Sequence, residues 1–115
     1  MDLSADVSTR RKHPRRRFSR FVGILISGKY TVCEGAEIGE GGLSVYLPAD
    51  MPVDQLVVVN LQIPNGGFVS VCAQVKNSRK RKGGQHMVGL LFQNLKFESK
   101  REIRAFVSTR AGNEQ

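Results

Sequence analysis

The chain has 115 residues, 40% of them hydrophobic, which is enough for one packed domain and excludes a fully disordered chain. Its formal net charge of +8 predicts an anionic partner: a nucleotide, a nucleic acid or an anionic membrane surface. No apolar run approaches the roughly 18 residues of a membrane span, and the N-terminal segment lacks the apolar region of a signal peptide. We therefore expect a cytoplasmic protein without a membrane span.

Positive charge is concentrated at the N-terminus. Residues 1–20 carry seven Lys and Arg against two Asp, a local charge of +5. Because residues 1–13 are polar and aperiodic, we interpret them as a flexible basic arm. In the stretch "PRRRFSRF" that follows, an extended chain would place Arg16, Phe18 and Arg20 on one face.

Short strands joined by turns make up most of the remaining chain. Ser27-Gly28 is predicted to be a tight turn, and Asn65-Gly66 a type I′ hairpin turn. A bulge is expected near Gly35, and residues 76–85 are interpreted as a charged loop. The six predicted strands are 21–27, 30–38, 43–47, 55–63, 68–75 and 86–93.

An amphipathic helix is predicted near the end of the chain, at about 98–110. Ile103, Phe106 and Val107 recur there at helical spacing, and Ser99 with Glu102 forms a candidate capping box.

These elements predict an all-β fold, a small six-stranded antiparallel β-barrel with a C-terminal amphipathic α-helix, because closure removes exposed strand edges. The predicted domain covers residues 14–112.

Cysteine and histidine placement argues against a disulfide and a metal site. Cys33 and Cys72 lie in apolar strand-like runs, which favours buried, reduced thiols in a cytosolic protein. There is no CxxC pair, and His13 and His86 are far apart in sequence, so no metal is expected.

Nothing in the sequence indicates an enzyme. No nucleophile–base arrangement or phosphate-binding glycine loop of known spacing is present. Glu37 and Glu40 are three residues apart, but a hydrolase with paired carboxylates needs a larger cleft than this chain is expected to build.

Two segments are candidate ligand-binding sites. The first uses arginine at all four cationic positions, and arginine pairs bidentately with phosphate or with guanine O6 and N7, and stacks on rings. The alternative for this segment is a solvated tail. The first segment contributes Arg15, Arg16, Arg17 and Arg20.

The second candidate is "EIGEGG", residues 37–42, between two predicted strands. Its glycines, Gly39, Gly41 and Gly42, let the backbone approach a ligand or form an anion nest. The Glu37 carboxylate could accept hydrogen bonds from guanine N1–H and N2–H₂. The alternative is a tight connection with a solvated glutamate.

Together the two segments resemble a PilZ domain, whose motifs are RxxxR near the N-terminus and [D/N]xSxxG between the second and third strands. Arg16 to Arg20 fits the first motif, and residues 37–42 lie where the second should be. "HMVGLLF", residues 86–92, resembles a late strand of the family, and the resemblance covers roughly residues 10–110.

The resemblance implies a receptor for cyclic di-GMP, often bound as an intercalated dimer. It assigns Arg16 and Arg20 as main ligands and Arg15 and Arg17 as supporting ones. Two positions depart from the motif: Glu37 replaces Asp or Asn, and Gly39 replaces Ser. Losing one neutral hydrogen bond costs about 0.5–1.5 kcal/mol, so we expect binding to survive.

Two other functions stay open. One is a PilZ-type adaptor that binds only a partner protein, which the altered second motif would suit. The other is a nucleic-acid-binding barrel, disfavoured because aromatic residues are only 7% and tryptophan is absent. The aromatic candidates expected to be exposed are Phe18, Tyr30, Tyr46 and Phe68.

A second basic cluster, residues 76–82, contains five Lys and Arg and no acid. It is interpreted as a solvated face, with a docking surface for an acidic partner or a second anion contact as alternatives.

Overall fold

The computed structural model describes residues 14–109. The predicted arm, 1–13, and residues 110–112 at the end of the predicted domain lie outside this range. The described part contains seven strands, one short 3-10 turn and one helix. The elements are β1 (Arg15–Arg17), β2 (Phe21–Ile26), β3 (Lys29–Gly39), β4 (Gly42–Leu47), β5 (Leu56–Gln62), β6 (Phe68–Lys80), the 3-10 turn Lys82–Gly84, β7 (His86–Phe92) and α1 (Phe97–Ser108).

Six of the strands close into an antiparallel barrel, which confirms the predicted fold class. The strand order is β1-β3-β2-β5-β6-β7-β4, and an additional β3–β4 pairing closes the ring. Strand β1 lies outside the barrel and pairs with β3. This short strand was not predicted, because three consecutive arginines carry no alternating apolar pattern.

The barrel interior is filled by the inward-facing residues of each strand. The predicted inward sets in β4 and in the first part of β6 are confirmed, because every second residue there is buried and each of these is apolar. Among the most deeply buried side chains are Val22, Ile24, Val45, Val59, Leu61, Val75, Val88 and Ile103.

The tight turn predicted at Ser27-Gly28-Lys29 is confirmed, whereas the turn at Asn65-Gly66 differs from prediction in type. Ser27 and Gly28 both have positive φ, 48° and 81°, as a two-residue type I′ turn requires. The predicted type I′ turn at Asn65-Gly66 is wrong, because Asn65 alone has positive φ there. Proline precedes Asn65, and the Gly66 N–H donates to the Ile63 carbonyl at 2.8 Å, a combination typical of a type II turn.

The predicted charged loop at 76–85 is mostly strand. Strand β6 continues to Lys80 through a register shift between Val75 and Asn77, and pairs with β7. Only a short reversal remains, in which Gly83 and Gly84 have positive φ. Residues 76–80 are polar and mostly exposed, so they show no alternation of apolar residues. The sequence pattern therefore predicts an end of this strand that is too early.

Helix α1 packs against β3 and β1 and buries Ile103 and Val107. The predicted capping box is wrong, because the helix begins at Phe97 and its N-cap residue, Lys96, makes no side-chain cap. Glu102 instead accepts a hydrogen bond from the Gly67 N–H at 2.6 Å, which ties the helix to the β5–β6 hairpin.

Both cysteines are free thiols in the structure. Cys33 is buried, and burial raises the pKa of its thiol to about 11. Cys72 is exposed on the outer face of β6, which corrects the expectation that both are buried. Residues 14–109 contain no helix long and apolar enough to cross a membrane, and no cluster of three metal-ligating side chains.

Candidate functional site

Strand β1 places the arginine segment (residues 15–20) directly beside the glycine-rich connection (residues 37–42). In the antiparallel ladder Arg15 lies opposite Gly39, and Arg17 lies opposite Glu37. The Arg15 Nη1 atom is 3.7 Å from Glu37 Oε1, with both side chains about half exposed. Two segments separated by a hairpin in sequence therefore share one surface.

Phe18 anchors the arginine segment in the barrel. Its side chain is 1% exposed, which corrects the expectation that it faces solvent. The Phe18 N–H donates to the Ala36 carbonyl at 2.8 Å. Gly35 leaves room for it, because a Cβ there would lie 2.6 Å from the Phe18 carbonyl oxygen. The bulge predicted near Gly35 is confirmed by the register shift between Gly35 and Glu37.

Arg16 points away from Glu37 and contacts helix α1. Its guanidinium carbon lies 4.0 Å from the centroid of the Phe106 ring, and Nη1 donates to the Phe106 carbonyl at 2.9 Å. That carbonyl belongs to the last turn of the helix, where a cation is favoured by the helix dipole. The Phe106 ring also packs edge-to-face on Phe18, with centroids 6.0 Å apart.

Two adjoining cavities contain all eight predicted site residues. A pocket of about 220 Å³ is lined by Arg16, Arg20, Phe106 and neighbours. A groove of about 950 Å³ is lined by the other predicted residues, and Arg17 lines both cavities. The predicted residues lining the groove are Arg15, Arg17, Glu37, Gly39, Gly41 and Gly42.

The three glycines of the connection have different structural roles. A Cβ at Gly39 would lie 2.9 Å from the Pro14 carbonyl oxygen, so this glycine allows β1 to pack closely. A Cβ at Gly42 would overlap the Leu90 carbonyl oxygen of the neighbouring strand. Gly41 has open space around its Cα. Of the three, Gly41 is the glycine that leaves open space for another group to approach its backbone.

Sequence reasoning missed the helix residues that contact the site. Arg104 donates to Glu40 through Nε at 2.8 Å and Nη2 at 3.0 Å, and this pairing raises the pKa of Arg104. Glu37 and Glu40 thus each face a different arginine rather than forming a carboxylate pair. Phe106 was assigned only to the apolar helix face, and no sequence signal pairs it with Arg16.

The fold is similar to that of several solved structures. Bacillus subtilis inhibitor of motility MotI/DgrA has a TM-score of 0.82 and 14% identity, covering 91% of this chain and 53% of that one. The K. pneumonia MrkH–c-di-GMP complex has a TM-score of 0.72 and 17% identity, and the match covers 91% of this chain and 55% of that one. The Escherichia coli YcgR PilZ domain with c-di-GMP has a TM-score of 0.68 and 12% identity, and the match covers 92% of this chain and 98% of that one.

The chain spans about half the length of the MotI/DgrA and MrkH chains and nearly all of the separate YcgR domain. At these identities the likeness shows the fold alone. None of the curated proteins matches the chain in sequence. The family pattern of the PilZ domain matches residues 9–109, which confirms the resemblance and shows that the chain belongs to the PilZ domain family.

Proposed function

We propose that this protein is a non-catalytic, cytoplasmic receptor for cyclic di-GMP that passes a conformational change to a partner protein. The observation that carries the proposal is the β1–β3 ladder, which joins the arginine segment and the glycine-rich connection at one groove. The c-di-GMP complexes of the similar MrkH and YcgR structures support the choice of ligand.

The groove offers complementary groups for both parts of a guanine dinucleotide. Arg15 and Arg17 present bidentate donors for phosphate or for the guanine O6 and N7 edge. The Glu37 carboxylate is exposed and pairs with Arg15. When this ion pair opens, the carboxylate can accept hydrogen bonds from guanine N1–H and N2–H₂. The open backbone at Gly41 allows a flat base or a phosphate to approach closely.

Arg16 and Arg20 contribute from the adjoining pocket. The Arg16 guanidinium stacks on Phe106, so a ligand that binds Arg16 competes with the helix for it. Arg20 is exposed beside it. The RxxxR pair therefore belongs to the same binding surface, with one member engaged by the helix before the ligand arrives.

The same helix contacts supply a route for the signal. Helix α1 binds the arginine segment through Phe106 and the glycine-rich connection through the Arg104–Glu40 pair. A ligand that rearranges either segment changes how the helix docks and which surface it shows. A partner protein that reads this surface would respond to the ligand.

Isothermal titration calorimetry of cyclic di-GMP, with GTP and cyclic di-AMP as competitors for specificity, tests the proposal. Selective binding at micromolar or lower concentration is expected, and the stoichiometry distinguishes one ligand from an intercalated pair. Arg16→Ala and Arg20→Ala should each weaken binding by about tenfold or more, as expected for a lost charged hydrogen bond. Lys100→Ala, on the exposed helix face, is the control.

A second candidate is an adaptor that binds only protein. It is favoured by the pairing of Arg16 with Phe106 and of Arg15 with Glu37, which satisfies part of the site without a ligand. This candidate predicts no heat with cyclic di-GMP at tens of micromolar, together with a stable protein partner in a pull-down. A titration that also fails with the Phe106→Ala variant would favour the adaptor over the receptor.

A further inference from the structure

The groove has a second basic wall opposite the arginine segment. Lys76, Arg79 and Arg81, at the end of β6 and just after it, line the same cavity of about 950 Å³ as Arg15 and Arg17. The sequence pattern had assigned these residues to a separate charged loop. Continuation of β6 along β7 instead brings them to the groove.

Strand register places the two walls on either side of the β4–β7 pair, on one face of the sheet. Consecutive pairings connect one row of residues across five strands, at about 4.8 Å per strand. The row runs Arg17, Glu37, Ser44, Gly89, Asn77. Since paired residues lie on the same face of a sheet, the middle of this row is formed by Ser44 and Gly89. The Asn77 side chain lies over Gly89, where a Cβ would be 2.8 Å from the Asn77 Oδ1 atom.

Within the described residues, no carboxylate forms an ion pair with the second wall. Among residues 14–109, Lys76 and Arg79 form no ion pair or side-chain hydrogen bond, and both are exposed. Within the described part of the chain, the Arg81 side chain contacts only a weak acceptor, the Met87 sulfur at 3.6 Å. Glu37 is the single carboxylate lining the groove within the described part of the chain. Such a surplus of exposed donors is complementary to an anion with more than one charged group.

We propose that Lys76, Arg79 and Arg81 form a second phosphate-binding wall of the nucleotide groove. A cyclic dinucleotide has two phosphodiesters on opposite sides of its ring, and the two walls bind one from each side. Arg15 and Arg17 contact the near phosphodiester, and Arg79 and Arg81 contact the far one. This inference rests on the proposed function, and it adds residues that lie outside both sequence motifs of the family.

The test is calorimetry of cyclic di-GMP with the double variant Arg79→Ala/Arg81→Ala. Affinity should fall by about tenfold or more, as expected for lost charged hydrogen bonds. The matched control is Lys29→Ala/Lys100→Ala, which removes the same charge from residues that line neither cavity, and its affinity should stay within about twofold of the wild type. Arg79→Lys/Arg81→Lys keeps the charge and should retain more affinity than the alanine variant.

The outcomes separate this inference from the function on which it rests. Wild-type binding that is lost in Arg16→Ala but unchanged in Arg79→Ala/Arg81→Ala overturns the second wall alone. An equal loss in the Lys29→Ala/Lys100→Ala control also overturns it, because the effect would then come from net charge. If the wild type does not bind cyclic di-GMP, the receptor function and the second wall are both wrong. Melting temperatures should match, since Arg79 and Arg81 are exposed.

Discussion

The Arg16 guanidinium stacks on the Phe106 ring at 4.0 Å and donates to the carbonyl of the same residue at 2.9 Å. One residue of the RxxxR motif is therefore bound to the C-terminal helix. This contact couples the binding surface to an element that the motif itself does not include. In the proposed receptor, cyclic di-GMP would compete with the Phe106 ring and carbonyl for the Arg16 guanidinium, which would lower its affinity.

Phe106→Ala should strengthen cyclic di-GMP binding by about two- to fivefold, because a cation–π contact of about 0.5–1 kcal/mol no longer competes for Arg16. Its melting temperature should fall, since the ring also packs on Phe18. Calorimetry and thermal denaturation measure the two effects. Phe97→Ala is the control, because Phe97 is 66% exposed on the same helix. Weaker binding in Phe106→Ala would show instead that the ring is part of the ligand site.

Phe18→Ala should destabilise the fold by about 3–5 kcal/mol, the usual cost of removing a buried phenylalanine. The melting temperature should drop by more than about 10 °C for a domain of this size. Thermal denaturation followed by circular dichroism measures it. Phe21→Ala, at an exposed position three residues later, should change stability by less than about 0.5 kcal/mol. Similar melting of both variants would argue against the anchoring role of Phe18.

Gly41→Ala should change ligand affinity, whereas Gly42→Ala should change the stability of the fold. At Gly41 the added Cβ meets nothing in the free protein, so melting stays unchanged, while affinity for cyclic di-GMP falls by about fivefold or more because the ligand loses its approach. At Gly42 the Cβ overlaps the Leu90 carbonyl, which costs about 1–3 kcal/mol of stability. Unchanged affinity in Gly41→Ala would remove Gly41 from the ligand site.

The two thiols should differ in reactivity. Cys72 is exposed and should react with Ellman's reagent in the native protein, whereas the buried Cys33 should react only after unfolding. One equivalent of thionitrobenzoate per protein should be released from the native protein, and two equivalents from the protein in denaturant. Two rapid equivalents from the native protein would contradict the buried position of Cys33.

Burial raises the pKa of Cys33 from 9.0 to about 11, so the folded state favours the neutral thiol. Its contribution to stability is complete below pH 9 and is lost as the pH rises towards 11. Denaturant unfolding across this range should therefore show a smaller decline in Cys33→Ala than in the wild type. An identical decline in both proteins would assign the pH dependence to other groups.

The barrel and the two candidate segments could be predicted because their signals are local. Alternation of apolar residues in β4 and β6 reports which face is buried, and Ser27-Gly28 marks a turn, whatever the rest of the chain does. Arginine chemistry and a glycine-rich connection likewise identify a candidate anion site from composition and spacing.

Three features depended on contacts between residues far apart in sequence. The burial of Phe18 needs the space left by Gly35, and the position of Arg16 needs Phe106, ninety residues later. The second basic wall needs β6 to continue along β7. Local sequence patterns predict which face of a strand or helix is buried, because burial depends on the polarity of each residue's own side chain. Which charged groups meet depends on strand register and helix docking, and these are decided only when the barrel closes.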